Sequence, residues 1–413
     1  MKSLIYFFIF IFSIQGSATE LKLEDLVKQV SEKNYLVYEN ALKVYQSRTD
    51  IDRVRGELLP KLNIWNIASA LIDPLSLIGS INDIAPFLVP ANWFRLEEVK
   101  LLYLSEKEGY RALWGNELHS AKTLFLHTSF DMQLLEHVKN SIVELNEIHL
   151  IVKTREMLGG AEPGTARDIE IRILGLKEDE KNLGQLVNEE LNALTYALGL
   201  PSGVVQLTPV SPPDIKSLQP MDYNKYEFRL LANSPERRQF EHFFSVLKQI
   251  KKEIQYAFLG GSSISRGVAG GIFDSLPTSG ALSFGNGPAM KIIDAQKEIM
   301  LTQRTGIEET LKRQLKNLVY LFNSDVSFFD NFSRRLELTK KSKTEMLRRI
   351  KLGEDVSMLA LADASKNQIQ AETSIYAVQF RVMSSLDRLD RLVFQNDYSL
   401  RPPLIDSLKG DKP

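Results

Sequence analysis

Two very long helical patterns, each broken by glycine and followed by a shorter returning pattern, constrain this chain more than anything else in it. From Trp114 the apolar stripe runs through Leu118, Ala121, Phe125, Thr128, Met132, Leu135, Val138, Ile142, Leu145, Ile148 and Val152 in steps of three and four. A stripe recurring every 3.5 residues keeps one narrow seam facing a partner helix, as in coiled-coil packing. The seam breaks at Gly159-Gly160-Ala161-Glu162-Pro163-Gly164, where Gly159, Gly160 and Gly164 permit positive φ and Pro163 cannot donate to a helix ladder. It resumes as Ile169, Ile173, Leu176, Leu183, Val187, Leu191, Leu194 and Leu198. At the α-helical rise, the arm before the turn would be on the order of 95 Å long, more than an ordinary globular domain needs.

The plan then repeats. A proline-rich linker at 201–221 carries Pro209, Pro212, Pro213 and Pro220, and a helix with Ser234-Pro235-Glu236 follows it. Next come a Gly/Ser-rich segment at 260–287 and a second long helix with the stripe Ile307, Leu311, Leu315, Leu318, Phe322, Val326, Phe329, Phe332 and Leu336. Gly353 breaks it, a returning helix is expected from Ser357 to Gln395, and 397–413 reads as a polar tail. The first half matches this plan: a helix from Leu23 to Leu59, an apolar segment at 61–94 interrupted by Pro74, Pro86 and Pro90, and a long hairpin at 95–199. Self-similarity at such a period implies a duplicated unit, 19–200 and 222–396, rather than a short-repeat solenoid.

Lys2, the apolar run from Leu4 to Ile14 and the small residues Gly16-Ser17-Ala18 match a secretory signal peptide over 1–18. The run is too short to span a bilayer as a helix; an uncleaved anchor is the alternative. No cysteine is present, so an exported chain of this kind relies on packing and assembly rather than disulfides. The formal net charge of −1 over 413 residues gives no footprint for nucleic acid. Catalytic signatures are missing: no phosphate loop and no Gly-x-Ser-x-Gly elbow occurs, and Gly285-Asn286-Gly287 is too short for a dinucleotide fingerprint. The histidines, His119, His127, His137, His149 and His242, do not pair at i,i+4 and read as surface residues. No cofactor or metal is expected, and no enzyme.

These residues resemble the TolC-type outer-membrane efflux protein family. The resemblance rests on Glu57-Leu58-Leu59-Pro60-Lys61-Leu62 closing the first helix and on Ala197-Leu198-Gly199-Leu200-Pro201 before the linker. It rests also on the turns Gly164-Thr165-Ala166-Arg167-Asp168 and Gly353-Glu354-Asp355, the latter followed by Leu361-Ala362-Asp363-Ala364. The resemblance implies a mainly α fold of tandem-repeat coiled-coil hairpins forming an α-barrel, with short β segments at 61–94 and 260–287 for an outer-membrane β-barrel. It implies a homotrimer in the outer membrane that extends into the periplasm, working with a periplasmic adaptor protein and an inner-membrane transporter. The function it implies is a passive export duct of a tripartite efflux pump or type I secretion system. A transmembrane hairpin needs roughly 20 residues plus a turn, and neither segment alternates cleanly. The competing reading is therefore a periplasmic structural or interaction protein without a working barrel. Trp65, Trp93 and Phe94 are either interfacial aromatics or core residues.

On this family pattern the turns form the pore constriction, with Asp168, Glu354, Asp355 and Asp363 as carboxylate rings that set cation preference. Arg334, Arg335, Lys340, Lys341, Lys343, Arg348, Arg349 and Lys351 crowd the end of the second long helix, with Glu337 and Glu345 opposing. They form either a solvated helix face or an adaptor-docking collar centred on Arg348, Arg349 and Lys351.

Overall fold

The computed structural model describes residues 19–59, 86–160, 163–201, 205–259, 261–262, 264–265, 273, 276, 286–352, 354 and 356–405. In chain order the main elements are β1 (Thr19–Leu21), α1 (Asp25–Lys33), α2 (Tyr35–Glu57), α3 (Pro90–Met157), α4 (Thr165–Ala197) and β2 (Val205–Leu207). There follow α5 (Tyr223–Asn233), α6 (Pro235–Gln255), α7 (Asn286–Lys351) and α8 (Met358–Val393). The protein is mainly α, and α3 and α7 span 68 and 66 residues. The expected signal peptide and most of both expected β segments lie outside the described residues.

The helix expected from Leu23 to Leu59 is two helices, α1 and α2. The break is Asn34, whose ψ of 125° is extended and whose side-chain amide donates to the Ala197 carbonyl at 2.7 Å and to Glu117 at 3.2 Å. The second half breaks in the same way at Ser234 between α5 and α6. The Ser234 hydroxyl accepts from the Arg237 amide at 3.2 Å and Pro235 follows it, an N-cap with proline at the first helical position. There Asn233 donates to the Val393 carbonyl at 3.1 Å. An amide at the foot of each half's first helix thus satisfies an orphan carbonyl at the end of its returning helix.

Helix α3 begins at Pro90, ahead of the expected start at 95, because proline's missing N–H and fixed φ suit the first turn. Trp93 and Phe94 are accordingly helical. The Trp93 indole donates to the Phe87 carbonyl at 2.8 Å, and the Phe94 ring lies 5.5 Å from that of Tyr256. Residues 397–405 are packed rather than a free polar tail: Tyr398 and Ile405 are buried, and the Tyr110 hydroxyl donates to the Pro403 carbonyl at 2.9 Å. The linker is also anchored. Its β2 pairs in parallel with β1, Leu21 opposite Leu207, and Asn323 on α7 clasps both backbone groups of Met221 at 2.7 and 3.0 Å.

The chain divides into two units that each take segments from both halves. Unit 1 comprises Met1–Asn34, Glu117–Tyr223 and Lys316–Leu389. Unit 2 comprises Tyr35–Asn116, Asn224–Leu315 and Asp390–Pro413. In unit 1 the stripe residues Val138, Ile142, Leu145, Ile148 and Val152 of α3 close on Ala166, Ile169 and Ile173 of α4 and on Leu361 and Ala362 of α8. In unit 2, Leu102 of α3 packs with Val246, Leu247, Ile250 and Ile254 of α6 and with Ala289, Ile293 and Met300 of α7. A second cluster there joins Ile51 and Val54 of α2, and Leu58 just past its end, to Leu96 and Val99 of α3.

Unit 2 also buries charge. Arg95 is 1% exposed and donates to Glu98 at 2.7 Å and to Glu253 at 2.8 Å, with both carboxylates buried as well. Replacing Arg95 by alanine would leave two adjacent carboxylates in the interior, an imbalance that costs about 3–5 kcal/mol. Urea denaturation of R95A is expected to show a loss of that size.

A second prediction concerns Gly199, whose φ is +61°. A Cβ there would lie 2.2 Å from the Lys33 carbonyl oxygen. Gly199→Ala therefore meets both a left-handed backbone and a backbone clash, and is expected to destabilise by about 2–4 kcal/mol. Gly175 lies inside α4 with no atom within 4 Å of its would-be Cβ, so Gly175→Ala should stabilise by about 0.5–1 kcal/mol. Thermal unfolding of the two variants should shift in opposite directions.

Candidate functional site: the hairpin turns

The hairpin ends are built by a shared backbone device. At the end of α3 the Gly160 amide donates to the Arg155 carbonyl at 2.8 Å and the Gly159 amide to Glu156 at 3.1 Å, with Gly159 at φ +73°. This is the Schellman arrangement, in which a left-handed residue lets two amides fold back onto the last carbonyls. At the end of α7 the Glu354 amide donates to the Arg349 carbonyl at 3.0 Å, while Gly353 itself lies outside the described residues. Gly164, at φ +100°, precedes α4, and the Glu156 carboxylate accepts from the Ala166 amide at 2.8 Å, tying both sides of the turn to one side chain. An anion at that helix start is favoured by the exposed amides and the dipole.

The acidic residues singled out in the sequence are placed unequally. Asp168 is exposed in the first turn of α4. Asp363 is in the second turn of α8 and accepts from Arg172 of α4 at 2.7 Å. This pair joins the two returning helices beside the cluster of Ile169, Leu361 and Ala362. Glu354 accepts from Arg349 at 2.6 Å across the end of α7. Asp355 lies outside the described residues. Helix α8 starts at Met358, with the Ser357 hydroxyl accepting from the Ala360 amide.

The basic run is more fully paired than the two nearby glutamates alone would allow. Arg334 and Lys341 share Glu337 at 2.7 and 2.5 Å, Lys340 reaches Glu372 of α8 at 3.0 Å, and Lys343 is buried against Glu144 of α3. Arg348 pairs with Glu345 at 2.8 Å, and this hydrogen bond holds the Glu345 carboxyl below the ordinary range. Lys343 therefore belongs to the packing between long helices, while Arg348 and Arg349 remain at the solvent-facing end of α7. The side chain of Lys351 is outside what is described.

Three of the four histidines on α3 are paired with carboxylates, whether exposed or not. His119 lies 2.7 Å from Asp387, which also pairs with Lys122 at 3.2 Å, and His137 lies 2.9 Å from Glu372. His127 lies 2.6 Å from Glu190 of α4 and 3.4 Å from Asp131. Burial, and after it the charge of Glu190, push the Asp131 carboxyl up to about 6. Spacing between histidines alone could not reveal these groups, because each carboxylate partner sits one turn away or on another helix.

No family model matches the chain, and no curated protein matches it in sequence. Solved structures do match in fold. A membrane protein from Pseudomonas aeruginosa superposes with a TM-score of 0.70 at 14% identity, over 90% of each chain. The MtrE outer-membrane channel of Neisseria gonorrhoeae, in its open state, gives 0.67 at 14% identity over 92% of each. The VceC outer-membrane protein of Vibrio cholerae gives 0.68 at 10% identity, over 90% of this chain and 95% of that one. The fold is that of the TolC-type outer-membrane channels. In this chain Asp168 and Asp363 lie in the opening turns of the returning helices and Glu354 closes α7, with Arg172 paired to Asp363 and Arg349 to Glu354. Among the described residues, no helix is long and apolar enough to cross a membrane, which says nothing of a β-barrel.

The Arg172–Asp363 pair is 31% and 54% exposed at its two side chains. Exposed pairs of this kind contribute about 0–1 kcal/mol, so Arg172→Ala should leave the urea midpoint nearly unchanged. A larger loss would mean that the pair is shielded from water by something the single chain does not supply.

Proposed function

We propose that this chain is the channel component of an export system: a homotrimer in the outer membrane whose helices reach into the periplasm. In this reading it meets a periplasmic adaptor protein and an inner-membrane transporter, belonging to either a tripartite efflux pump or a type I secretion system. The observation that carries the reading is the likeness of fold to outer-membrane channels over nine-tenths of both chains. A second observation supports assembly: α4 buries Ile169 and Ile173 yet leaves Ile171 and Leu174 60% and 58% exposed. A helix apolar on two faces calls for neighbours on both, which copies of the chain arranged in a ring would provide. The N-terminal segment at 1–18 supports export as a signal peptide. The chain acts as a conduit without chemistry of its own.

The turns then form the constriction. Three copies of Asp168, Glu354, Asp355 and Asp363 would surround one axis, where crowded carboxylates repel one another and attract cations. Arg172 and Arg349 hold this end closed by engaging Asp363 and Glu354, while Arg348, Arg349 and Lys351 face the adaptor. The organisation into repeats at 19–200 and 222–396, with β segments contributing to a barrel, belongs to the same proposal.

The test is reconstitution of the mature protein in planar bilayers. We expect trimers in mild detergent and cation-selective conductance. Asp355→Asn with Asp363→Asn should lower the selectivity without abolishing the current, and Arg172→Ala with Arg349→Ala should raise it. A monodisperse monomer without conductance would refute the channel and favour a periplasmic interaction protein. Unchanged selectivity in the asparagine variant would remove these aspartates from the pore.

A further inference from the structure

His127 and Asp131 are one turn apart on α3, and Glu190 faces them from α4, all within unit 1. One ligand atom from each lies within 4.8 Å of the others. Asp131 is 6% exposed at its side chain and Glu190 10%, and each keeps one buried carboxylate oxygen, Oδ2 and Oε2, without a hydrogen-bond partner. Two carboxylates in so dry a setting need a counter-charge, since an uncompensated buried anion is costly. A protonated His127 would offset only one of the two negative charges. A divalent cation held by neutral imidazole and both carboxylates would offset both charges and would give the orphaned Asp131 Oδ2 a partner.

We propose that His127, Asp131 and Glu190 form a binding site for a divalent first-row transition ion, clipping the outgoing helix α3 to the returning helix α4. The donor set, one imidazole and two carboxylates, suits such ions. Ligand bonds of about 2.0–2.2 Å in tetrahedral geometry set neighbouring donors about 3.3–3.6 Å apart. His127 Nδ1 and Asp131 Oδ2 are already 3.4 Å apart, and Glu190 Oε1, at 2.6 Å from the imidazole, has to withdraw by less than about 1 Å to meet the same distance. The ring of Phe380 stands edge-on to the imidazole, 5.2 Å away at 85°, and restrains its plane. His127 is 45% exposed at its side chain, which leaves a route for the ion and a position for water. This site does not depend on the channel reading, because its ligands come from a single hairpin.

The test uses the mature protein without a histidine tag, stripped with EDTA and exposed to Zn2+ or Mg2+. We expect uptake of one zinc per chain after gel filtration and a rise in the thermal midpoint with zinc but not with magnesium, since anything bound only by the folded state stabilises it. The near-isosteric variant Asp131→Asn with Glu190→Gln should stay helical by circular dichroism. It should bind zinc more weakly by at least the roughly 10–100-fold that disturbing a ligand's supporting partner costs. His127→Ala, at a half-exposed position, provides the same test should the double variant fail to fold. Sub-stoichiometric uptake with no thermal shift would overturn the proposal in favour of a proton shared between the carboxylates. Undiminished uptake by a folded variant would overturn it in favour of other histidines.

Discussion

A helix of more than sixty residues cannot stabilise itself by backbone hydrogen bonding alone; it persists because a continuous apolar seam is covered along its length. In α3 the seam is visible residue by residue, from Leu118 and Phe125 through Val138 and Ile142 to Val152, all buried. Whatever covers that seam determines the architecture, and here the cover comes in turn from different helices: α4 and α8 in one unit, α6 and α7 in the other. Coverage by relay explains why the core is a series of separate clusters. The buried ions Arg95, Glu98 and Glu253 of unit 2 are tolerated because each has a partner already in place.

How much of this was legible in the sequence follows from the range of the forces involved. The seams, the glycine at Gly159 and the stop at Gly199 are local signals with local causes, and each is found where the spacing put it. The breaks at Asn34 and Ser234 were missed because neither interrupts the apolar period. What breaks the first helix is an amide reaching Ala197, 163 residues away in the chain. The strand pair of β1 and β2 was likewise out of reach, since three-residue strands carry no readable alternation. At the turns, Asp363 lies in the second turn of α8, and its partner Arg172 lies on another helix, 191 residues distant, where no local spacing could reveal it. Glu190, 63 residues from His127, escaped for the same reason, whereas Asp131 sits one turn away and was within reach of an i,i+4 reading that looked beyond histidine pairs.

Duplication shows itself in chemistry as well as in element order. Both returning helices end with a residue in the left-handed region, Gly199 at φ +61° and Phe394 at φ +50°. Both have an amide folded back over five residues, from Leu200 to Thr195 and from Gln395 to Asp390. Glycine adopts that conformation without penalty, whereas phenylalanine does not. In the second copy the guanidinium groups of Arg111 and Arg391 lie over the Phe394 ring, 4.8 and 4.4 Å from its centroid. Cation–π contacts in a desolvated setting can contribute about 2 kcal/mol, comparable to the backbone strain they oppose. The two halves therefore reach one geometry by different means.

The interleaving of the two units has a consequence for synthesis. Tyr110 meets Pro403 across 293 residues, and His119 meets Asp387 across 268. Neither unit can close its core on the N-terminal half alone, because the contacts that complete each one arrive with the last helix and the residues beyond it. Loop closure over such spans is slow, and apolar surface left open in the meantime invites aggregation. A ribosome delivering this chain N-terminus first would present the long seam of α3 only partly covered, by α4, for most of the time translation takes, so holding that seam apart from others like it falls to whatever escorts the chain until its final residues emerge.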